Sequence, residues 1–229
     1  QLPDLGAVSE VLAAPVLLPR VVARLEAGSV IGWFSGRMEF GPRALGARSI
    51  LGDPRNVTMQ KTMNLAVKFR ESFRPFAPSV REEDAAEWFE LDQASPYMLL
   101  TAQVRAEHMR ALTDEDRAKT GIELLNVPRS SIPSVTHVDG SARVQTVSKE
   151  TAPRYHALLT AFGEKTGCGM LVNTSFNVRG EPIVCTPREA YVCFMRTGLD
   201  TLVIEDRFFD KAAQPAWKED DWRSKIAAD

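Results

Sequence analysis

The sequence predicts a single α/β domain in which helices pack on a twisted, mixed β-sheet. Two short apolar runs, at residues 30–34 and 169–172, are typical of buried strands. Residues 143–147 alternate between outward and inward side chains, as a strand does. Tyr155, Leu158 and Phe162 instead share one helical face. Strands and helices mix without strict alternation, which favours a mixed sheet.

The other elements are predicted from local patterns along the chain. Apolar residues at helical spacing predict a short helix that ends at Gly28 and a second helix over residues 56–68. Further predicted elements are a helix over 81–92, a strand over 97–104, a helix over 187–197 and a last strand over 202–204. The charged, poorly periodic stretch 106–130 is interpreted as a surface excursion.

The domain itself is predicted to span residues 20–212. Residues 1–19 are rich in Pro and Leu without a clear period, and they are interpreted as a linker or docking arm. Residues 213–229 form a predicted C-terminal tail that is either a docking helix or a loose segment. Because the chain starts at Gln1, we expect a processed product or a fragment of a longer protein.

The composition is that of an ordinary globular protein. The 229 residues are 44% hydrophobic and 25% charged, and the net charge of −2 creates no global field that would attract nucleic acid or membrane. No apolar run approaches the roughly 18 residues that span a bilayer, and no signal peptide is visible. A cytoplasmic protein is therefore expected. Three cysteines and three histidines lack metal-binding spacing, so no transition-metal site is expected in this chain.

The segment GRMEFGPRALGARS, at residues 36–49, is the first candidate site. Its glycines recur every five residues, and Arg37, Arg43 and Arg48 each follow one of them closely. Glycine lets backbone N–H groups approach a ligand, and a guanidinium matches phosphate or carboxylate oxygens. The segment fits neither the GxxxxGK[ST] loop nor the GxGxxG fingerprint. Anion binding and a structural turn with surface arginines both remain open.

Positive charge is concentrated between residues 37 and 74. This stretch holds eight basic and three acidic residues, although the whole chain carries a net negative charge. Such segregation predicts a positive cleft that attracts a polyphosphate, with a solvated basic face as the alternative. Lys68, Arg70 and Arg74 lie close together within KFRESFRPF. The phenylalanines between them are interpreted as core anchors rather than a base-stacking wall, because Phe is usually buried.

Two polar segments complete the candidate site. Residues 173–177 follow an apolar strand, where α/β sheets bind ligands, although a simple turn is the alternative. Asp139-Gly140 predicts a hairpin turn, after which Arg143 and Gln145 would share one strand face. For His137 a structural hydrogen bond is favoured over a role as a proton shuttle. No GxSxG motif is present, so covalent catalysis is disfavoured.

Four runs in order, GRMEFGPRALGARSIL, KFRESFRPFAPS, HVDGSARVQTV and NTSFNVRGEPIV, resemble the C-terminal half of the antibiotic and nodulation-factor O-carbamoyltransferases. The resemblance covers residues 28–210 and is specific because it rests on four long motifs. It implies a YrdC-like domain that binds ATP and carbamoyl phosphate and forms carbamoyl-adenylate. It also implies a partner, an N-terminal actin/hexokinase-like half with a metal site, which transfers the carbamoyl group to a small-molecule acceptor.

The same resemblance implies the site residues. The catalytic set would be Lys68, Arg74, Arg43 and Ser175. Nucleotide and phosphate contacts would come from Arg70, Arg143, Asn173, Asn177, Arg48 and His137. Removing one charge-stabilising donor typically costs roughly 10²–10³-fold in rate, which is the loss expected for Lys68→Ala and Arg74→Ala. Mg²⁺ is expected with ATP, and a transition metal only in the N-terminal half.

Two other functions are considered. One is threonylcarbamoyl-adenylate synthesis from threonine, bicarbonate and ATP, another activity of YrdC-like proteins. The long GPRALG run favours the carbamoyltransferase branch. The other is a binding module that presents a basic face to RNA, an interaction that salt would weaken steeply. The absence of Tyr and Trp from the basic stretch counts against RNA, and membrane is not an expected partner.

Overall fold

The computed structural model describes residues 2–217, and an eight-stranded mixed sheet forms its centre. The strands are β1 (Glu10–Val11), β2 (Ile31–Phe34), β3 (Arg48–Gly52), β4 (Ala77–Arg81), β5 (Thr101–Gln103), β6 (Ser141–Arg143), β7 (Gln145–Val147), β8 (Met170–Ser175), β9 (Thr201–Ile204) and β10 (Arg207–Asp210). The sheet order is β1-β10-β9-β2-β3-β8-β4-β7, and β5 pairs with β6 separately. Because β2–β9 and β4–β7 are parallel and the other pairs antiparallel, the predicted mixed sheet is confirmed.

Helices cover both faces of the sheet. They are α1 (Ala14–Glu26), α2 (Met59–Thr62), α3 (Ala85–Trp88), α4 (Asp114–Ala118), α5 (Gly121–Leu125), α6 (Pro153–Thr166) and α7 (Pro187–Arg196). A π-helical turn, Met63–Lys68, continues α2. Short 3₁₀ turns occur at Pro3–Leu5, Glu82–Asp84, Ala106–His108 and Lys211–Ala213. Within residues 2–217, no helix has the length and apolar character needed to cross a bilayer.

The alternation of side chains along β2 shows how the two cores form. Ile31 and Trp33 are fully buried against α1 and α6 on one face of the sheet. Phe34 points to the opposite core, which includes residues of α7 and the π-helical turn. Gly32 also faces that core, and a Cβ there would lie only 2.7 Å from the ring of Phe176. Glycine is therefore required because the aromatic ring packs directly on the backbone of the strand.

The start of the domain differs from the prediction. Residues 1–19 were expected to be a linker or arm outside the domain, but β1 pairs with β10 and α1 begins at Ala14. The helix buries Leu17 together with Val21 and Leu25. Pro15 lies in the first turn, where a missing N–H is tolerated, so it starts the helix instead of breaking it. The packed domain therefore begins by residue 10.

Several predicted elements change in extent. Residues 173–175 are part of β8 rather than a loop, because they pair with β3. The predicted hairpin at residues 139–140 is only a tight turn, since β6 pairs with β5 instead of with the segment before it. The predicted helix over 81–92 is reduced to short turns, and β10 follows the strand that was predicted to be last. Most of the predicted tail, residues 218–229, lies outside the described residues.

Candidate anion-binding site

A small polar cavity of about 140 Å³ lies beside the end of β8 and the start of β4. Three arginines from distant parts of the sequence line it: Arg43, Arg70 and Arg143. Its other lining residues are Pro42, Ala44, Pro75, Phe76, Ala77, Met98, Asn173, Thr174 and Ser175. No carboxylate is among these residues, so the cavity concentrates positive charge. We call it the anion cavity.

Two of the three guanidiniums, those of Arg70 and Arg143, lie where the charged form is disfavoured. Burial, with a contribution from nearby Arg74, lowers the pKa of Arg70 to about 10. Burial also lowers the pKa of Arg143, and the positive charge of Arg43 lowers it further. Both pKa values fall for the same reason, because desolvation and a nearby like charge disfavour the charged form of a guanidinium. An anion in the cavity would relieve both penalties.

Most guanidinium nitrogens that face this cavity have no acceptor in the part of the chain that the structure describes. The structure records no hydrogen bond or ion pair to a described residue for the terminal nitrogens of Arg70 or for the side chain of Arg43. Arg143 makes one weak contact, from a terminal nitrogen to Met98 Sδ at 3.9 Å, and its buried Nε has no partner among the described residues. Because buried donors are normally hydrogen-bonded, the nitrogens of partly buried Arg70 and Arg143 are available to bind oxygens of an anion, and exposed Arg43 adds a third cation at the cavity.

The buried amide of Asn173 forms the floor of the anion cavity, and the buried amide of Gln145 is hydrogen-bonded to it. Asn173 Nδ2 lies within hydrogen-bonding distance of Ala44 O at 3.0 Å, Ser79 Oγ at 2.9 Å and Gln145 Oε1 at 2.9 Å, and its two protons are shared among these three acceptors. Gln145 Nε2 in turn donates to Leu45 O at 2.9 Å. These bonds attach the loop after Gly41 to β8 and β7. Asn173 Oδ1 is buried and accepts no hydrogen bond from a described residue, so the network leaves one acceptor unused.

Lys68 lies next to the anion cavity but its ammonium is occupied by the protein. The Nζ atom donates to Ser175 O at 2.5 Å, Asn177 O at 2.9 Å and Asn177 Oδ1 at 2.8 Å, and it lies 3.3 Å from Ser175 Oγ. An ammonium has three protons, so these acceptors use all of them. Burial, followed by the charge of Arg70, lowers the pKa of Lys68 to about 7. Through these hydrogen bonds, Lys68 holds the end of β8 in place.

The hydroxyl of Ser175 is also engaged. It donates to Asn177 Oδ1 at 2.7 Å, while Asn177 Nδ2 donates to Glu181 O at 2.7 Å. Ser175 therefore offers the cavity a lone pair instead of a proton. Asn177 does not line the cavity and acts through Ser175 and Lys68. The lysine and the SxN motif predicted from the sequence are thus brought together, in a hydrogen-bonded cluster of which Ser175 lines the cavity and Lys68 and Asn177 lie beside it.

Three other predicted site residues lie away from the anion cavity. Arg74 is half-exposed and pairs with Glu71, Nε to Oε2 at 3.0 Å. Arg48 is buried with its guanidinium 3.4 Å from the centre of the Phe34 ring, and it donates to backbone oxygens of residues 35, 36 and 47. His137 lines a separate cavity of about 450 Å³ and contacts Ser141 Oγ through Nδ1 at 3.1 Å.

Two residues that organise the site were not predicted from the sequence. Asn64 Oδ1 accepts a hydrogen bond from Arg70 Nε at 2.6 Å, and Ser79 belongs to the amide network. A polar residue within the apolar helical pattern at 59–67 was the available signal for Asn64. Ser79 is the final residue of the run KFRESFRPFAPS, but nothing in its spacing indicates a buried contact. In residues 2–217, no group of three or more His, Cys, Asp or Glu side chains is arranged to hold a metal ion.

Comparison with known protein families identifies the class of domain. The family model described as the carbamoyltransferase C-terminus matches residues 22–211. The chain therefore belongs to the carbamoyltransferase C-terminal family, which confirms the resemblance found in the sequence.

Individual relatives agree with this assignment. An uncharacterized protein of Synechocystis sp. is 58% identical over 99% of this chain and 37% of its own length. Nodulation protein NolO of Bradyrhizobium diazoefficiens is 46% identical over 77% of this chain and 29% of its own. The 3′-hydroxymethylcephem-O-carbamoyltransferase of Amycolatopsis lactamdurans is 36% identical over 82% of this chain and 32% of its own. The chain thus spans about a third of the length of these relatives.

A solved structure shows the same fold. Full-length HypF, in a phosphate- and nucleotide-bound form, matches with a TM-score of 0.51 at 16% identity. The match covers 84% of this chain and 25% of the HypF chain. At this identity the likeness is one of fold alone, and it supports the mixed α/β architecture described above.

Proposed function

We propose that this domain uses ATP to convert carbamoyl phosphate into carbamoyl-adenylate. The remaining part of a longer protein, or a separate partner, would then transfer the carbamoyl group to an acceptor hydroxyl. Membership of the carbamoyltransferase C-terminal family supports this proposal, as does a relative named as an O-carbamoyltransferase. The relatives are about three times longer than the matched region, which leaves room for a transfer domain with the predicted actin/hexokinase-like fold and metal site.

The observation that carries the proposal is that the anion cavity combines positively charged donors with a neutral hydrogen-bond acceptor. Three guanidiniums with unused nitrogens suit a phosphate, and the unused Oδ1 of Asn173 suits an N–H donor. Carbamoyl phosphate carries both a phosphate and an NH₂ group. Ser175 Oγ, whose proton is donated to Asn177, is a second acceptor for that NH₂ group.

The proposed reaction has two steps. Water first cleaves carbamoyl phosphate to carbamate and phosphate, releasing one proton. A carbamate oxygen then bonds to the α-phosphorus of ATP, the bond from that phosphorus to the bridging oxygen breaks, and pyrophosphate leaves. Carbamate is already an anion, so the second step needs positioning and charge neutralisation more than a base. Arg43, Arg70 and Arg143 supply that neutralisation.

The size of the anion cavity limits what it holds. At about 140 Å³ it accommodates carbamoyl phosphate or one end of a triphosphate, and the nucleoside would extend beyond it. Mg²⁺ would accompany ATP, held mainly by phosphate oxygens and water. Because mixed anhydrides hydrolyse readily, the buried amide floor would protect the product by excluding water.

The test is release of pyrophosphate from ATP by the 229-residue chain, with and without carbamoyl phosphate. We expect release that depends on carbamoyl phosphate, and little release with threonine and bicarbonate in its place. If release is absent, the assay is repeated with a full-length relative and with that relative carrying Ala at the position of Arg143. Full activity of this altered relative would contradict the proposed role of the anion cavity.

A further inference from the structure

The orientation of Arg70 depends on a buried side chain that does not line the anion cavity. Asn64 is completely buried, and its Oδ1 accepts a hydrogen bond from Arg70 Nε at 2.6 Å. Its backbone oxygen also accepts from the Arg70 N–H at 3.1 Å. Arg70 is thus held at both its backbone and its side chain by one residue. With Nε used in this way, the two terminal nitrogens remain for a ligand.

Asn64 also shapes the loop that carries Arg70. Its Nδ2 donates to Ser72 O at 3.0 Å and to Arg74 O at 2.8 Å. All three recorded hydrogen bonds of this side chain are therefore made to residues 70–74. The assignment of its amide atoms is determined by these partners, because backbone oxygens only accept and Arg70 Nε only donates.

The local backbone explains why this contact is possible. Residues 63–68 form a π-helical turn, in which Asn64 O accepts from the N–H of Phe69, five residues later. Phe69 then adopts a left-handed conformation with φ of 50°, which reverses the chain and brings Arg70 back over Asn64. A residue with a Cβ rarely adopts this conformation unless its surroundings hold it. π-Helical turns occur frequently at functional sites.

We infer that Asn64 is a positioning residue that aligns the Arg70 guanidinium for phosphate binding in the anion cavity. The ring of Phe76 supports the guanidinium from another side, 4.9 Å from its centre. Asn64 itself touches no ligand. The inference rests on the proposed function only in treating the cavity as a site for phosphate groups, and it does not require the carbamoyl chemistry.

A double-mutant cycle tests the inference on the 229-residue chain, with pyrophosphate as the probe and calorimetry as the readout. Asn64→Ala should weaken pyrophosphate binding about tenfold, the loss typical when the group that orients a binding residue is removed. In an Arg70→Met background the same change should cost less than about twofold, because its effect passes through Arg70. Equal losses in both backgrounds would overturn the inference.

Gln60→Ala is the matched control. Gln60 Nε2 donates to Phe73 O at 2.9 Å and to Arg74 O at 3.1 Å, so this variant loosens the same loop without touching Arg70. Binding of pyrophosphate should change by less than about twofold in this control, since its bonds lie near the surface. A loss as large as that of Asn64→Ala would mean that general loosening of the loop is responsible.

A second measurement covers the case in which Asn64→Ala fails to fold. In nitrogen-15 spectra of the unaltered chain, the Arg70 Nε–H should exchange slowly with water, and that of half-exposed Arg74 rapidly. Equally fast exchange would overturn the inference, as would an unaltered chain that binds neither phosphate nor pyrophosphate. Loss of carbamoyl-phosphate-dependent turnover with intact coupling between Asn64 and Arg70 would instead contradict only the proposed function.

Discussion

Two neighbouring groups of cations in this domain use their donors in opposite ways. In the anion cavity, Arg43, Arg70 and Arg143 keep terminal nitrogens without strong acceptors among residues 2–217. A few residues away, Lys68 and Arg48 direct their protons at backbone and side-chain oxygens of the protein. The first group leaves donors for an anion, whereas the second ties segments of the chain together. Residue type alone does not distinguish the two roles, and the location of the nearest acceptor does.

The largest effect is expected at Arg143. Replacing it with Met should reduce pyrophosphate release by about 10²–10³-fold, because one charge-stabilising donor is lost. Stability should change by less than about 1 kcal/mol, since the variant also removes repulsion from Arg43. Steady-state kinetics and urea denaturation of the same sample measure both quantities. A variant that loses stability but retains its rate would place Arg143 in the structural group.

Lys68→Met should show the opposite pattern, with a larger loss of stability and a smaller loss of ligand affinity than Arg143→Met. The change leaves Asn177 O without its side-chain donor and removes one of the two donors to Ser175 O and to Asn177 Oδ1, which should lower the free energy of unfolding by about 1–3 kcal/mol. Affinity for pyrophosphate, measured where the variant is folded, should fall less than in Arg143→Met. Unchanged stability with abolished binding would show that Lys68 contacts the ligand directly, as the sequence suggested.

The pH dependence of stability offers a third comparison. Burial lowers the pKa of Lys68 to about 7 from its ordinary value of 10.5, so the unfolded chain binds more protons between these values. Stability should therefore rise with pH above 7, by up to about 1.4 kcal/mol per pH unit. The penalty for burying the charge is fully present below pH 7. The difference in unfolding free energy between the unaltered chain and Lys68→Met isolates this contribution, and a flat difference between pH 7 and 9 would show that Lys68 stays charged.

The smallest effect is expected at Arg74. Its guanidinium is half-exposed and paired with Glu71 outside the lining of the anion cavity. Arg74→Ala should change the rate of pyrophosphate release by less than about threefold, because solvent and salt screen exposed charges. Arg43→Ala, measured in parallel, should be much more damaging. A loss of more than a hundredfold in Arg74→Ala would support the direct role that the sequence resemblance implied.

Much of the fold follows from local patterns that a sequence displays directly. The buried runs at β2 and β8 and the apolar faces of α6 and α7 are determined by side-chain periodicity and by the turns that bound them. The predicted beginning of the domain was wrong. Prolines at positions 15 and 19 are typical of a linker, but here the first of them lies in the first turn of a helix. The two-residue strand β1 was also not predicted, since so short an element is defined only by its partner β10.

The sequence by itself determined the family, through four ordered motifs that identify a carbamoyltransferase C-terminal domain, and its clustered arginines predicted an anion site. Only the tertiary structure decided which cations face the anion cavity and which are used internally. The physical reason is that the role of a charged side chain depends on the acceptors around it, and these come from distant segments. Lys68 meets Asn177 across 109 positions, and Asn173 meets Ala44 across 129. No local pattern encodes such contacts, because folding alone brings these segments together.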